Sequence, residues 1–522
     1  MAPLFAALQR PECYPHPVAA VRVIETHISW VLLTGSFAYK VKKPVDLGFA
    51  NFTTLDLRRR YCEEELRLNR RFAPGLYLDV VAICGDARAP RVGGEGPVLD
   101  YAVKMHEFPQ EALASRRLAA GIFGAAEVDA LAALVAGFHG GTPAAPAGGK
   151  LGAPEAVQSS VLQNFDQMLA LTKAQPDDGA LRALQLWTEH EYAARRKAFE
   201  ARKAGGYVRE CHGDLHLGNI AMLDGRPVPF DCIEFNEELR WIDVMNEAAF
   251  LAMDLEDRGR GDLAWRFLNR YLEATGDYAG IEVLRFYLVY RALVRAKVHL
   301  MRSGQPRLRR DEKLHLVQAF HDYLRLAGRF SAPRGAAVIL AHGPSGCGKT
   351  TATQPLVEQL GAIRVRSDLE RKRLHGIAPL AVSGSGVGSG IYTAESTAAT
   401  YRRLGALAQV ILDAGLPVVV DATFLMRTER EAFRAIAEKF EVPFLILDIR
   451  VPPEVLRARV QERMARANDA SEADFAVLER QIAMRESLTP AEIAVAVKVD
   501  GMRPPDHATW QPFIERVHAA TI

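Results

Sequence analysis

Apolar and polar residues alternate in short runs through the first hundred positions, as in VRVIETHISWVLLTG at 21–35 and FAYKVKK at 37–43, and period two predicts strands there. From Thr54 to Phe72 the period changes. Leu57, Tyr61, Leu68 and Phe72 return on one side, which predicts a helix, with Thr53 followed by Asp56 as its start. The runs LYLDVVAIC at 76–84 and LDYAVKMHEF at 99–108 complete a small predicted sheet layer. From 111 to 325 helical periodicity prevails, broken by the loop GGTPAAPAGG at 140–149 and by a stretch at 205–235 that sets closely spaced polar residues between short apolar runs.

The segment AGRFSAPRGAA at 327–337 gathers Gly, Pro and small residues and reads as a linker. Beyond it, VILAHGPSGCGKT carries an apolar run into a glycine loop and a helix. Predicted strands at 361–366, 416–421 and 443–449 then alternate with helical segments, the pattern of a parallel sheet covered by helices. The expected organisation is an α+β domain over 1–327, a linker over 328–336 and an α/β domain with a mostly parallel sheet over 337–522.

Composition agrees with two or more globular cores: 522 residues exceed one ordinary core, and 49% hydrophobic with 25% charged residues is globular usage. The 65 basic and 63 acidic residues nearly cancel, which argues against a nucleic-acid or membrane-surface partner. Cys13, Cys62, Cys84, Cys211, Cys232 and Cys347 are widely spaced and form no CxxC pair, so reduced thiols and no structural zinc are expected. No basic segment leads into an apolar signal core, and no apolar run approaches the roughly 18 residues of a membrane span. The expectation is a cytoplasmic protein; its oligomeric state has no signature here.

The sharpest local signal is GPSGCGKT, formed by Gly343, Pro344, Ser345, Gly346, Cys347, Gly348, Lys349 and Thr350, with Thr351 following in the helix. It matches G-x-x-x-x-G-K-[ST] between a strand and a helix. Its amides are suited to curl round phosphate oxygens, Lys349 to bridge the β and γ phosphates, and the Thr350 hydroxyl to ligate Mg²⁺. Asp368, after the second strand, is a candidate to orient or deprotonate an acceptor hydroxyl, and Asp421, at a strand end, to hold the Mg²⁺ shell. Arg457, Arg459, Arg463 and Arg466 lie along one helical run; Arg463 and Arg466 are the candidates to close over phosphates, with a solvated basic face as the alternative. This part resembles the small-molecule and polynucleotide 5′-kinase group of P-loop kinases, gluconate-kinase-like and zeta-toxin-like proteins included, over roughly 337–510. The resemblance implies phosphorylation of a hydroxyl, with Asp368 on the acceptor side and SGSGVGSG at 383–390 as a mobile loop near it.

A second constellation is CHGDLHLGNI at 211–220 followed by VPFDCIEF at 228–235. Asp214, Asn219 and Asp231 stand in the order of a base, a metal-ligating amide and a metal-ligating carboxylate. His212 is expected to brace the loop, Glu234 to be metal-proximal or structural, and Asp243 to tie the loop down. These motifs resemble the aminoglycoside and choline phosphotransferases of the protein-kinase-like fold, over about 20–320. The resemblance implies that Lys40 of AYK binds α/β phosphates with Glu65 of CEEEL as its partner; Lys42 shares the strand face, and Glu64 is the neighbouring alternative. No G-x-G-x-x-G is present, so phosphate cover falls to Thr26, His27, Ser29 and nearby amides.

The join of the two parts resembles bacterial bifunctional proteins described as aminoglycoside phosphotransferase-like kinase plus P-loop ATP-binding protein. It implies ATP and Mg²⁺ as cofactors and a small-molecule hydroxyl as acceptor. A nucleotide-driven regulatory ATPase with one inactive module and a nucleic-acid 5′-hydroxyl kinase are the alternatives.

Overall fold

The fold is that of a computed structural model of the chain, which describes residues 2–46, 48, 50–172, 177–305, 308–378, 381, 390–466, 474–503, 510–511 and 514–517. The chain divides into two compact units, one of residues 1–157 with 200–254 and one of 158–199 with 255–522.

The first unit begins with helix α1 (Ala2–Ala7) and strands β1 (Arg22–Glu25), β2 (Ser29–Leu33) and β3 (Phe37–Lys42). Helix α2 (Leu55–Asn69) follows, then β4 (Tyr77–Asp86), β5 (Ala89–Val92) and β6 (Val98–His106). The six strands form an antiparallel sheet in the order β1-β2-β3-β6-β4-β5. Helix α2 starts one residue later than the sequence reading: Thr54, in extended conformation, accepts the Leu57 amide, whereas the Thr53 hydroxyl bonds Asn51. Leu32, Tyr39, Val41, Ile83 and Ala102 pack one face of the sheet, while Ala38, Cys62, Tyr77 and Val103 pack the other. Helices α3 (Ala114–Ala119) and α4 (Ala125–Gly141) come next.

Helices α5 (Pro154–Thr172) and α6 (Asp177–Ala204) divide their residues between the units. The first unit resumes with β7 (Val208–Glu210), the hairpin of β8 (Ile220–Leu223) and β9 (Arg226–Pro229), and β10 (Trp241–Asp243), which pairs with β7. Helix α7 (Val244–Asp257) follows.

The second unit holds helices α8 (Gly261–Thr275), α9 (Ile281–Ser303) and α10 (Arg310–Ser331) together with the parallel sheet. That sheet comprises β11 (Val338–His342), β12 (Ile363–Arg366), β13 (Val418–Asp421), β14 (Phe444–Arg450) and β15 (Ala496–Asp500), in the order β12-β13-β11-β14-β15. All its pairings are parallel. Between the strands run α11 (Lys349–Leu360), α12 (Ser367–Leu374), α13 (Ala394–Asp413), α14 (Arg427–Lys439), α15 (Pro453–Arg466), α16 (Phe475–Met484) and α17 (Pro490–Ala494). Strand β11 is buried throughout, as a central strand covered on both faces must be. The compact division therefore groups α8 to α10 with the parallel sheet, although 328–336 is where composition suggests a linker. No helix among the described residues is long and apolar enough to cross a membrane.

Candidate functional sites

In the first unit, period two on β3 puts Lys40 and Lys42 on one face, and both ammonium groups reach the carboxylate of Glu65 on α2, at 2.8 and 2.7 Å. Lys40 also pairs with Asp231, and Lys42 with Glu234. Burial alone would lower the Lys40 pKa, but the Asp231, Glu65 and Glu234 carboxylates raise it well above its usual range. Burial opposes the charge of Glu65 as well, yet the two lysines bring that carboxyl down to about 2. Of the alternatives, Lys42 thus shares the buried ladder with Lys40, whereas Glu64 faces Arg67 and Arg240 instead. The turn between β1 and β2 is closed by the Ser29 amide donating to the Thr26 hydroxyl.

The 211–220 loop brings Asp214 and Asn219 together: the Asn219 amide nitrogen donates to the Asp214 carboxylate at 2.9 Å and to its carbonyl at 3.0 Å. His212 is fully buried and held neutral chiefly by that burial, donating through Nε2 to the Phe230 carbonyl while its Nδ1 accepts the Asp214 amide. It braces the loop, as read from the sequence. Gly213 takes a φ of +87°, and a Cβ there would lie 2.8 Å from the Leu239 carbonyl. Asp231 also sits in the left-handed region, at φ 66°, a strain that persists where surroundings over-determine it. Its amide donates to the Tyr77 hydroxyl and the next amide donates to Asn69.

Asp243 does not tie down this loop. It forms a two-bonded pair with Arg202, both contacts at 2.7 Å, and accepts the Met245 amide. The loop is held instead by two carboxylates that local spacing does not reveal. Glu247, on the first turn of α7, accepts the His212 and Gly213 amides at 3.1 and 2.7 Å, and Asp254 accepts the Leu217 amide at 2.9 Å. His139 and Cys211 adjoin Glu247 in a buried trio of metal-ligand types. Both Glu247 oxygens are already engaged by amides, and His139 Nε2 lies 3.1 Å from one of them, so Glu247 and His139 clamp the loop.

In the second unit the loop Gly343–Gly348 leaves the C-terminal end of β11 and enters α11. Gly343 has φ 148°, and a Cβ on it would meet the Cys347 sulfur at 2.7 Å and the Ile449 carbonyl at 3.0 Å. Lys349 donates to the Gly343 and Pro344 carbonyls, both at 3.0 Å, and the Ser345 amide donates to Gln481 at 2.8 Å. The Thr350 hydroxyl donates to Asp421 at 2.6 Å, while Thr351 is exposed on α11. Arg366 and Asp421 are register partners at the C-terminal ends of β12 and β13, which puts Asp368, in the first turn of α12, on the same sheet edge as Thr350 and Asp421. Arg457 pairs with Glu479, and Arg459 donates to the Gly501 carbonyl. The side chains of Arg463 and Arg466, and residues 383–389, lie outside the described residues.

The residues at each place offer oxygens that suit a hard divalent cation: an amide oxygen of Asn219 and a carboxylate of Asp231, and the hydroxyl and carboxylate of Thr350 and Asp421, which bond each other.

Among known proteins, the AAA domain family model (AAA_33) matches residues 338–488, a P-loop ATPase domain. Of solved structures, a sugar kinase from Janibacter sp. HTCC2649 aligns at 22% identity over 36% of this chain and 98% of its own, with a TM-score of 0.28. A choline/ethanolamine kinase family protein from Mesorhizobium loti aligns at 12% identity over 62% of this chain and 97% of its own, with a TM-score of 0.37. A much broader match comes from a whole-chain relative: at 30% identity over 468 residues, 88% of this chain and 90% of the relative, the chain belongs to the family of the uncharacterized protein Rv2004c of Mycobacterium tuberculosis (strain ATCC 25618 / H37Rv).

Proposed function

We propose that the protein is an ATP- and Mg²⁺-dependent phosphotransferase that moves a γ-phosphoryl group to a hydroxyl of a small molecule. In this reading a kinase-like module over 1–327 and a P-loop kinase-like module over 337–522, joined by 328–336, each bind a nucleotide. One observation supports it above the rest: Lys40, Glu65 and Asp231, far apart in sequence, form one charged group, beside the local Asp214–Asn219 hydrogen bond of the 211–220 loop.

Asp214 orients the acceptor hydroxyl and takes its proton as the oxygen–phosphorus bond forms and the bond to the β-phosphate breaks. Lys40, fixed by Glu65, binds α/β phosphate oxygens. Asn219 and Asp231 would hold Mg²⁺ in this module, and Thr350 and Asp421 in the other. Bound Mg²⁺ supplies positive charge that offsets charge building on the phosphate oxygens. Lys349 and the Gly343–Thr351 segment hold phosphate in the P-loop module, with Asp368 on the acceptor side and Arg463 and Arg466 closing over it.

The test is incubation of the protein with γ-labelled ATP, Mg²⁺ and a polar-metabolite extract, with labelled products identified by mass spectrometry. A soluble product lost in Asp214→Ala but kept in Lys349→Ala assigns the transfer to the kinase-like module. The converse assigns it to the P-loop module, and loss in both means coupled action. ATP hydrolysis with no labelled acceptor would replace this reading with a nucleotide-driven switch.

A further inference from the structure

Helix α8 lies outside the residues matched by the AAA domain model, yet its last turn is bonded to β12, the strand that pairs with the Asp421 strand β13 and whose Arg364 reaches Thr350. Asn269, on the same helix, donates to the Ala362 carbonyl at 2.9 Å and accepts the Arg364 amide at 2.7 Å, which fixes α8 against β12. One turn on, Glu273 accepts from Arg364 through Nε and Nη2 at 3.0 and 2.8 Å. Arg364 is fully buried, and its remaining nitrogen donates to the Thr350 carbonyl and to Gln354, both at 3.0 Å. Each of its three nitrogens is thus bonded, between Glu273 and the start of α11.

Arg366 occupies a more delicate place. Its guanidinium lies between two carboxylates, 3.7 Å from Glu273 and 4.0 Å from Asp421. Asp421 is the carboxylate that accepts the Thr350 hydroxyl. A guanidinium drawn fully onto Asp421 would neutralise the charge that a divalent cation needs there, and at such separations in a partly buried site that competition is strong.

We propose that Glu273 is a positioning residue for the P-loop metal site: it draws Arg366 away from Asp421. The inference rests on the reading of the P-loop as a Mg²⁺-nucleotide site. It places a determinant of that site on a helix that precedes the P-loop sequence, so the ATPase domain borrows part of its electrostatics from upstream chain.

The test uses the full chain and a fluorescent ATP analogue, titrated with Mg²⁺ and again with EDTA, the binding lost in Lys349→Ala defining the P-loop share. Glu273→Gln should weaken Mg²⁺-supported binding about 10-fold while changing binding in EDTA less than about 3-fold. Adding Arg366→Gln to Glu273→Gln should restore the Mg²⁺-supported affinity, because the competing cation is gone. Thermal unfolding of the ligand-free proteins is read alongside. A purely structural strut would lower binding equally with and without Mg²⁺, and the second substitution would deepen the loss; that result overturns the proposal. If Glu273→Gln does not fold, Glu273→Asp keeps the charge on a shorter arm, and its loss must still be confined to the Mg²⁺ titration for the proposal to stand. If the wild-type chain shows no Lys349-dependent binding, the underlying reading of the P-loop fails instead, and this inference with it.

Discussion

At the scale of single residues the loop at 211–220 shows what motif spacing reaches and what it leaves out. Asp214, Asn219 and Asp231 stand out in the sequence as candidates because they follow a motif order, and the structure joins the first two by hydrogen bonds and gives the third a strained backbone. Glu247 is not legible, because a carboxylate that clamps amides 34 and 35 positions away is placed by tertiary folding alone. The sequence singled out Asp243, one turn earlier, where Arg202 turns out to take the charge. Glutamine at 247 would aim an NH₂ at one of two N–H donors. Glu247→Gln should therefore cost about 1–3 kcal/mol in urea unfolding and, on the proposed function, reduce phosphoryl transfer. Burial works against the Glu247 charge, but His139 and the loop amides outweigh it and bring the carboxyl from 4.5 to about 2. A folded pKa below the unfolded one lends stability that is whole above pH 4.5 and drains as the pH falls to about 2. Unfolding free energy measured across that window should fall less steeply in Glu247→Gln than in wild type. Equal slopes would mean that the clamp carries no net charge.

At the scale of elements, the long alternating and helical runs were legible and the short ones were not. Strand β3 follows from period two, and its two lysines share a face because side chains repeat every second residue. The sequence reading lacks β5 and β15, for physical reasons. Strand β5 has four residues with a proline among them, and β15 has five at the sheet edge, too few for a period to declare itself. The start of α2 was misplaced by one residue because Thr53 and Thr54 are both eligible caps. Backbone conformation decides between them, and Asn51 already holds Thr53. Thr54→Ala should thus lose about 1 kcal/mol in chemical denaturation, and Thr53→Ala less than about 0.5. If Thr53→Ala proves the costlier change, the helix starts where the spacing first suggested.

At the scale of the whole molecule, the Gly- and Pro-rich stretch at 328–336 is easy to see in the sequence, but covalent slack does not decide which parts of a chain pack together. Within the second unit, buried and half-buried contacts join residues on the two sides of this stretch. Asn269 and Glu273 of α8 meet Ala362 and Arg364, and Arg266 pairs with Glu358, while Arg334 of the stretch itself stacks its guanidinium on Trp265 at 4.7 Å. None of these residues stands out in an amphipathic helix pattern, so composition gives no sign of them. Buried pairs are weakly screened by salt, so these contacts should keep their strength at high salt where exposed ones lose it. A protease site inserted between Gly335 and Ala336 and cut under native conditions should consequently leave the two pieces eluting together on size exclusion, at low and at high salt, and parting only in denaturant. Pieces that separate on cutting would show that the peptide connection itself holds α8 to the parallel sheet. In that case the reach of Glu273 to Arg364 would depend on the tether, and the cut protein would lose Mg²⁺-supported nucleotide binding at the same moment.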